Sequence, residues 1–192
     1  MSHTMAEINN ANNIYNYDNI KDRIEFIQKI YYAKYLMEDI RITFKKNVSI
    51  NLDNLSLEGK DGEITSIPRW LANILEANGN VEIQDIDVLV YISRSLNRER
   101  ISKPHDLSGI DIDFYIRVND YIKRLKESEK ESILVSLNSF ITSRIEKIVK
   151  LAAASSLTTD LERKLSAEEI ELYNFIHNSS YSFKQLAVNK LG

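Results

Sequence analysis

Cysteine is absent from the 192 residues. That excludes disulfides and thiolate metal sites and fits a reducing interior. Glycine (5) and proline (2) are scarce, so little interrupts regular structure. With abundant Leu, Ile, Lys and Glu, this favours a largely helical protein. No apolar run is long enough to span a bilayer, and no secretory signal is read at the start. Met1–Met5 (MSHTM) reads as an expression remnant, with the natural start expected at Met5. A strong charge of one sign is missing too. Lys plus Arg number 25 and Asp plus Glu 28, net −3. That is a poor basis for non-specific duplex binding, which runs on phosphate neutralisation. A chain of this length can bury its own core without a covalent staple.

Signatures of catalysis are as scarce. Outside the remnant, His105 and His177 stand alone, and neither forms an i, i+4 ligand pair. Gly59 and Gly62 have no Gly-Lys-Ser/Thr behind them, so there is no phosphate loop. No nucleophile elbow appears. Asp106, Asp111 and Asp113 form a D-x4-D-x-D cluster that could hold a hard cation. The stronger reading is carboxylates around a helix start, where they meet free N–H groups and the positive dipole end. Glu127, Glu129 and Glu131 read as a solvated turn. The expectation is therefore a protein without catalytic residues, cofactor or metal.

What is present has an order. The fold class expected is α+β and predominantly helical, with a small N-terminal β-rich domain followed by a helical-bundle domain. Residues 1–17 are rich in asparagine and read as a mobile arm. Residues 18–39 form a helix whose inner face is Ile20, Ile24, Ile27 and Tyr31. Residues 40–100 form a small α/β domain. Ile40, Ile42 and Phe44, then Val48, Ile50 and Leu52, alternate with polar residues as half-buried strands do. Asn54 and Gly59 offer turns, and Asp61-Gly62 is the strongest hairpin signal. Pro68 suits a helix start and Asn78-Gly79 its end. Trp70, Leu71, Ile74 and Leu75 make the apolar face between them, with Trp70 as the central plug. Asp85 can cap a third helix whose inward residues are Val88, Leu89, Ile92 and Leu96.

Residues 101–192 read as a helical domain, entered through a Pro104- and Gly109-containing linker. Asp111 or Asp113 opens a helix carrying Phe114, Val118, Tyr121, Ile122 and Leu125. Ser128 with Glu131 is a capping-box pattern opening a long helix with Leu134, Ile141, Ile145, Ile148 and Ala152 inside. Ser166 with Glu169 repeats the box before Ile170, Leu172, Tyr173 and Ile176. A short last helix, Ser182 to Val188, docks through Phe183 and Leu186. Two basic groups remain: Arg94, Arg98 and Arg100, and Arg144, Lys147 and Lys150. Each offsets a helix dipole or offers a surface to an acidic partner or to DNA.

Several segments resemble subunits of the GINS complex, a four-part replication factor of archaea and eukaryotes. SIPRWLANILEANGNVEI (Ser66–Ile83), with the strand-rich Arg41–Ile64 before it, resembles the family's small β domain. DFYIRVNDYIKRL (Asp113–Leu125), SRIEKIVKLA (Ser143–Ala152) and LSAEEIELY (Leu165–Tyr173) resemble its helical segments. With the β domain first, the order resembles one archaeal subunit type; the helix ahead of that domain is not part of the resemblance. The resemblance implies a non-enzymatic scaffold, cytoplasmic and nucleoid-associated. It would join other GINS subunits as a homo- or hetero-tetramer and bind the MCM helicase and a RecJ-like partner. DNA contact would be indirect or weak, and there would be no membrane contact. Phe114, Tyr115, Tyr121, Ile122, Arg144, Lys147, Ile148 and Leu151 fall on matching positions as interface residues. The competing expectation is a winged-helix DNA-binding regulator with a helical dimerisation half, its Arg94–Arg100 helix in a major groove.

Overall fold

The structure is a computed structural model describing residues 20–52, 55–84, 88–125 and 127–189. The expected arm, the turn at Asn54 and the cap at Asp85 lie outside the described residues. The fold is α+β and mostly helical, with two small sheets.

Helix α1 (Ile20–Met37) leads directly into β1 (Asp39–Phe44). Ile20, Ile24, Ile27 and Tyr31 are half-buried, and the same stripe ends on buried Tyr35, so the expected inner face holds. Then come β2 (Val48–Leu52), β3 (Leu55–Gly59), β4 (Ile64–Pro68), α2 (Arg69–Ala77) and β5 (Val81–Ile83). One antiparallel sheet has the order β4-β1-β5, with Ile42 opposite Thr65 on one side and Ile83 on the other. Strands β2 and β3 pair separately, Ile50 opposite Leu57. The alternation of β1 buries Ile40, Ile42 and Phe44, as period two requires.

Three local readings change and one holds. Asp61-Gly62 does turn, with Gly62 at φ 81°, but it carries the chain from one sheet to the other and closes no hairpin between β3 and β4. Gly59 is not in a turn. It ends β3 against the Phe44 ring, where a Cβ would come within 2.1 Å of a ring carbon. Asn78-Gly79 ends α2 as expected: Gly79 N–H donates to Glu76 O and Asn80 N–H to Leu75 O, both at 2.9 Å, with Gly79 at φ 65°. This is a Schellman closure, which needs the left-handed conformation glycine accepts freely. Trp70 is not the plug. It is 36% exposed and Ile74 51%, while Leu71, Ala72 and Leu75 are buried against the sheet. The rotation of α2 is set at its start, where Arg69 N–H donates to Glu38 O and the guanidinium lies 4.1 Å from the Tyr35 ring centre. That anchoring turns the Leu71–Leu75 stripe inward and the Trp70–Ile74 stripe outward.

The second half contains α3 (Val88–Ile101), α4 (Phe114–Arg124), α5 (Glu127–Ala154), α6 (Thr159–Glu162) and α7 (Ala167–Asn189). Helix α3 belongs to it. Ile92 and Leu96 share a core with Phe114, Val118, Ile133, Leu137 and Phe140, so the small domain ends near Gln84 rather than at residue 100. Leu89, expected inside, is exposed. The inner stripe of α5 is Ile133, Leu137, Phe140, Arg144, Ile148 and Ala152; Leu134 and Ile145 face out. The expected separate last helix is the continuation of α7, and Phe183 and Leu186 dock nowhere, both being exposed.

The two halves meet through polar contacts. Tyr35 is buried, donates to Asp120 Oδ2 at 3.1 Å, and has Arg117 5.2 Å from its ring centre. Arg117 grips both oxygens of Glu38, at 2.8 and 2.7 Å.

Candidate interaction surface

Arg144 occupies a core position in the middle of α5 and is fully enclosed. A guanidinium in that place needs an acceptor for each of its five N–H groups, and it has them. Nε donates to Glu169 Oε1 at 2.6 Å and Nη2 to Glu169 Oε2 at 2.7 Å. Nη2 also reaches Lys164 O at 2.9 Å. Nη1 donates to Glu99 Oε2 and to Ser108 O, both at 2.8 Å. Glu99 Oε2 further accepts from the Ser108 N–H and hydroxyl. Glu99 Oε1 has no hydrogen bond of good angle but lies 2.7 Å from the Lys147 ammonium.

The sequence places these groups by simple means. Ser166 and Glu169 form the expected capping box, Ser166 N–H donating to Glu169 Oε2 (3.2 Å) and Glu169 N–H to Ser166 Oγ (3.3 Å). The carboxylate that caps α7 is thus the one Arg144 holds. Tyr115 on α4 adds a hydrogen bond to Glu169 Oε1 at 2.8 Å. Burial, then the Glu169 charge, pushes the Tyr115 phenol well above its usual value, so it stays a donor. Burial would raise the Glu99 carboxyl, but the close Lys147 ammonium, the hydrogen bonds from Ser108 and the Arg144 charge outweigh it, and Glu99 is held below its ordinary value. Burial likewise works against the Arg144 cation; Glu169 and then Glu99 outweigh it and raise its pKa. The cluster is an enclosed structural lock joining α3, α4, α5 and α7.

The interface residues expected from the resemblance fall largely inside this chain. Phe114, Arg144 and Ile148 are fully buried, so none of these three presents a surface. Tyr115, Tyr121 and Ile122 are half-buried against the Phe114 core, and Leu151 against the Ile148 core. Lys147 is committed to Glu99 and to Glu99 O at the end of α3. The basic row Arg144, Lys147, Lys150 is therefore no exposed stripe. The aspartates separate as well. Asp106 takes Lys164 and the Leu107 N–H, Asp111 takes Tyr91, and Asp113 takes Arg117 rather than a helix N–H. Among the described residues no group of three or more His, Cys, Asp or Glu is placed to hold a metal.

Apolar surface remains on the outside of the same helices. On α5, Leu134, Val135, Ile145 and Val149 are exposed. On the end of α7, Tyr181, Phe183, Leu186 and Val188 are exposed, Phe183 to 72%. The sequence pattern turns Leu134 and Ile145 inward because α5 carries two adjoining stripes that a single periodicity fit merges. The signal that could have separated them is Arg144: its partners Glu99 and Glu169 mark the true inner row. No protein-family model matches the chain, and no curated protein matches it.

Proposed function

We propose that this protein is a non-enzymatic scaffold subunit of a GINS-type replication complex, joining sister subunits and, with them, the MCM helicase and a RecJ-like partner. The observation that carries the reading is the apolar surface along outer α5 and terminal α7. Isolated exposed apolar residues are ordinary; four on outer α5 and four on the end of α7 together support a surface for another protein. The arrangement of parts agrees with it: a small sheet domain first, a helical half second, and each resembling segment on an element of the expected kind. Arg144, which the resemblance selects, acts in this reading by holding the helices that display the surface.

The test is mass in solution together with retention. The chain is measured by light scattering alone, mixed with a candidate sister subunit, and passed over an immobilised helicase subunit. The reading expects a larger assembly with the sister and retention on the column. A particle that stays monomeric at micromolar concentration and ignores both would overturn it. Steep salt-dependent binding to one duplex sequence, with neither protein contact, would replace it by the DNA-binding regulator.

A further inference from the structure

Helix α1 carries two apolar stripes. Ile20, Ile24, Ile27, Tyr31 and Tyr35 turn toward the rest of the chain, while Phe26, Ile30, Ala33 and Met37 stay outside, Phe26 at 64% and Met37 at 68% exposure. The outer residues step by four, three and four. That is the a/d spacing of a coiled-coil seam, with Phe26 and Ala33 at d and Ile30 and Met37 at a.

We propose that this stripe is a homodimer seam, α1 pairing antiparallel with α1 of a second copy about a twofold axis between Ile30 and Ala33. The stripe is symmetric about that point. Antiparallel alignment sets Phe26 on the partner's Met37 and Ile30 on the partner's Ala33, a large side chain against a small one in the two central layers. Flanking charge selects the direction. Lys29 and Lys34 border the seam at g and e, and both are exposed. A parallel pair would set Lys29 against the partner's Lys34 on both sides, since g faces the e position five residues on. Antiparallel pairing faces g with g and e with e. Lys29 then lies beside the partner's Leu36 and Lys34 beside the partner's Ile27, with the lysine stems over apolar groups. The contact is isologous and closes at two copies. Four layers of helix cover less than the roughly 800 Å² per partner of a standard interface, so the dimer forms at micromolar concentration and dissociates on dilution. The seam extends the scaffold reading with a homotypic contact and makes no use of the α5–α7 surface, so the two fail separately.

The absence of cysteine gives a clean background for cross-linking. Full-length Ile30→Cys and Ala33→Cys chains are prepared separately, mixed and oxidised at micromolar concentration. Cross-linked dimer should form in the mixture at least about tenfold faster than in either variant alone, because only the mixture places two thiols in one layer. Equal or faster self-linking of Ile30→Cys would mean parallel pairing and overturn the proposal. In parallel, light scattering of the native chain should show a dimer. Ile30→Glu, with unchanged helical circular dichroism, should raise its Kd at least about tenfold, while Ile145→Glu leaves it unchanged. A native chain that is monomeric throughout, or a dimer abolished by Ile145→Glu and untouched by Ile30→Glu, overturns it.

Discussion

Arg144 meets Glu169 edge to edge, Nε on Oε1 at 2.6 Å and Nη2 on Oε2 at 2.7 Å, with the arginine fully enclosed. The same carboxylate closes the capping box that starts α7. One acid therefore fixes both the beginning of a helix and its seat on the middle of α5. Glu99, on the other side of the guanidinium, does the same for the end of α3. The interior of the helical half is organised around a cation at a position where helical periodicity asks for an apolar residue.

Such a pair gives little net stability over an apolar core but is costly to break from one side, by about 3–5 kcal/mol, because the remaining charge stays buried. Arg144→Met should cost that amount in urea unfolding, leaving Glu169 and Glu99 short of their cation. Arg144→Lys should not restore it, since an ammonium cannot bridge both edges of Glu169 and reach Glu99 as well. A lysine variant as stable as the native chain would show that the fork geometry is unimportant.

Stability should also fall in acid for a nameable reason. Glu99 is held below its ordinary value in the folded state by Lys147, Ser108 and Arg144 against the cost of burial. A folded pKa below the unfolded one, about 4.3 for glutamate, gives a contribution complete above that value and lost as pH falls through the folded value. Urea midpoints should therefore hold from pH 7 to about 5 as far as Glu99 is concerned, then drop. Glu99→Gln should be less stable at pH 7 and show a shallower fall below pH about 4. An unchanged acid limb in this variant would remove Glu99 from the account.

Two neighbouring residues on α2 should behave oppositely to their size. Leu71 is buried against the sheet and Trp70 lies outside. Leu71→Ala should cost about 2–5 kcal/mol, and Trp70→Ala about 1 kcal/mol or less, as for surface positions. Thermal melts of the two variants decide it. The reverse order would put the indole back in the core.

Gly59 offers a sharper steric test. Its missing Cβ leaves the space that the Phe44 ring fills at 2.1 Å. Gly59→Ala should overpack this contact at a cost of about 1–3 kcal/mol. Phe44→Leu in the same chain should recover part of it, a non-additivity that a double-mutant cycle measures.

Patterns that depend on neighbours in the chain were legible in the sequence. The alternation of β1, the inner stripe of α1, the glycine stop after α2 and the box at Ser166 all appear as read. Each is local physics: period two, period 3.6, a left-handed cap, a reciprocal hydrogen bond. What failed needed knowledge of a third partner. Helix α2 offers Trp70–Ile74 and Leu71–Leu75 equally, and only Arg69 on Tyr35 decides between them. The turn at Gly62 forms, yet strand pairing is settled by β1 lying between β4 and β5. On α5 the stripe with Leu134 and Ile145 looked as good as the stripe with Arg144, because an arginine argues against a core position until two distant glutamates are brought to it. The residues expected at an interface lie on that buried row or beside it, and Leu134 and Ile145 form the row outside.

That outer row gives the prediction on which the scaffold reading turns. Ile145 and Phe183 are exposed, and neither joins a buried core cluster. Ile145→Glu and Phe183→Glu should change urea stability by no more than about 0.5 kcal/mol, as surface substitutions do. If the α5–α7 face binds a sister subunit or helicase, each charge is then trapped in a desolvated contact without a counter-ion. Such a charge weakens binding by about 2 kcal/mol or more, roughly thirtyfold in Kd. Retention on an immobilised partner, measured beside the urea curves, separates the effects. Stability kept and retention lost places the partner on this face. Stability and retention both kept in both variants means the apolar row is idle, and the scaffold reading then loses the observation it stands on.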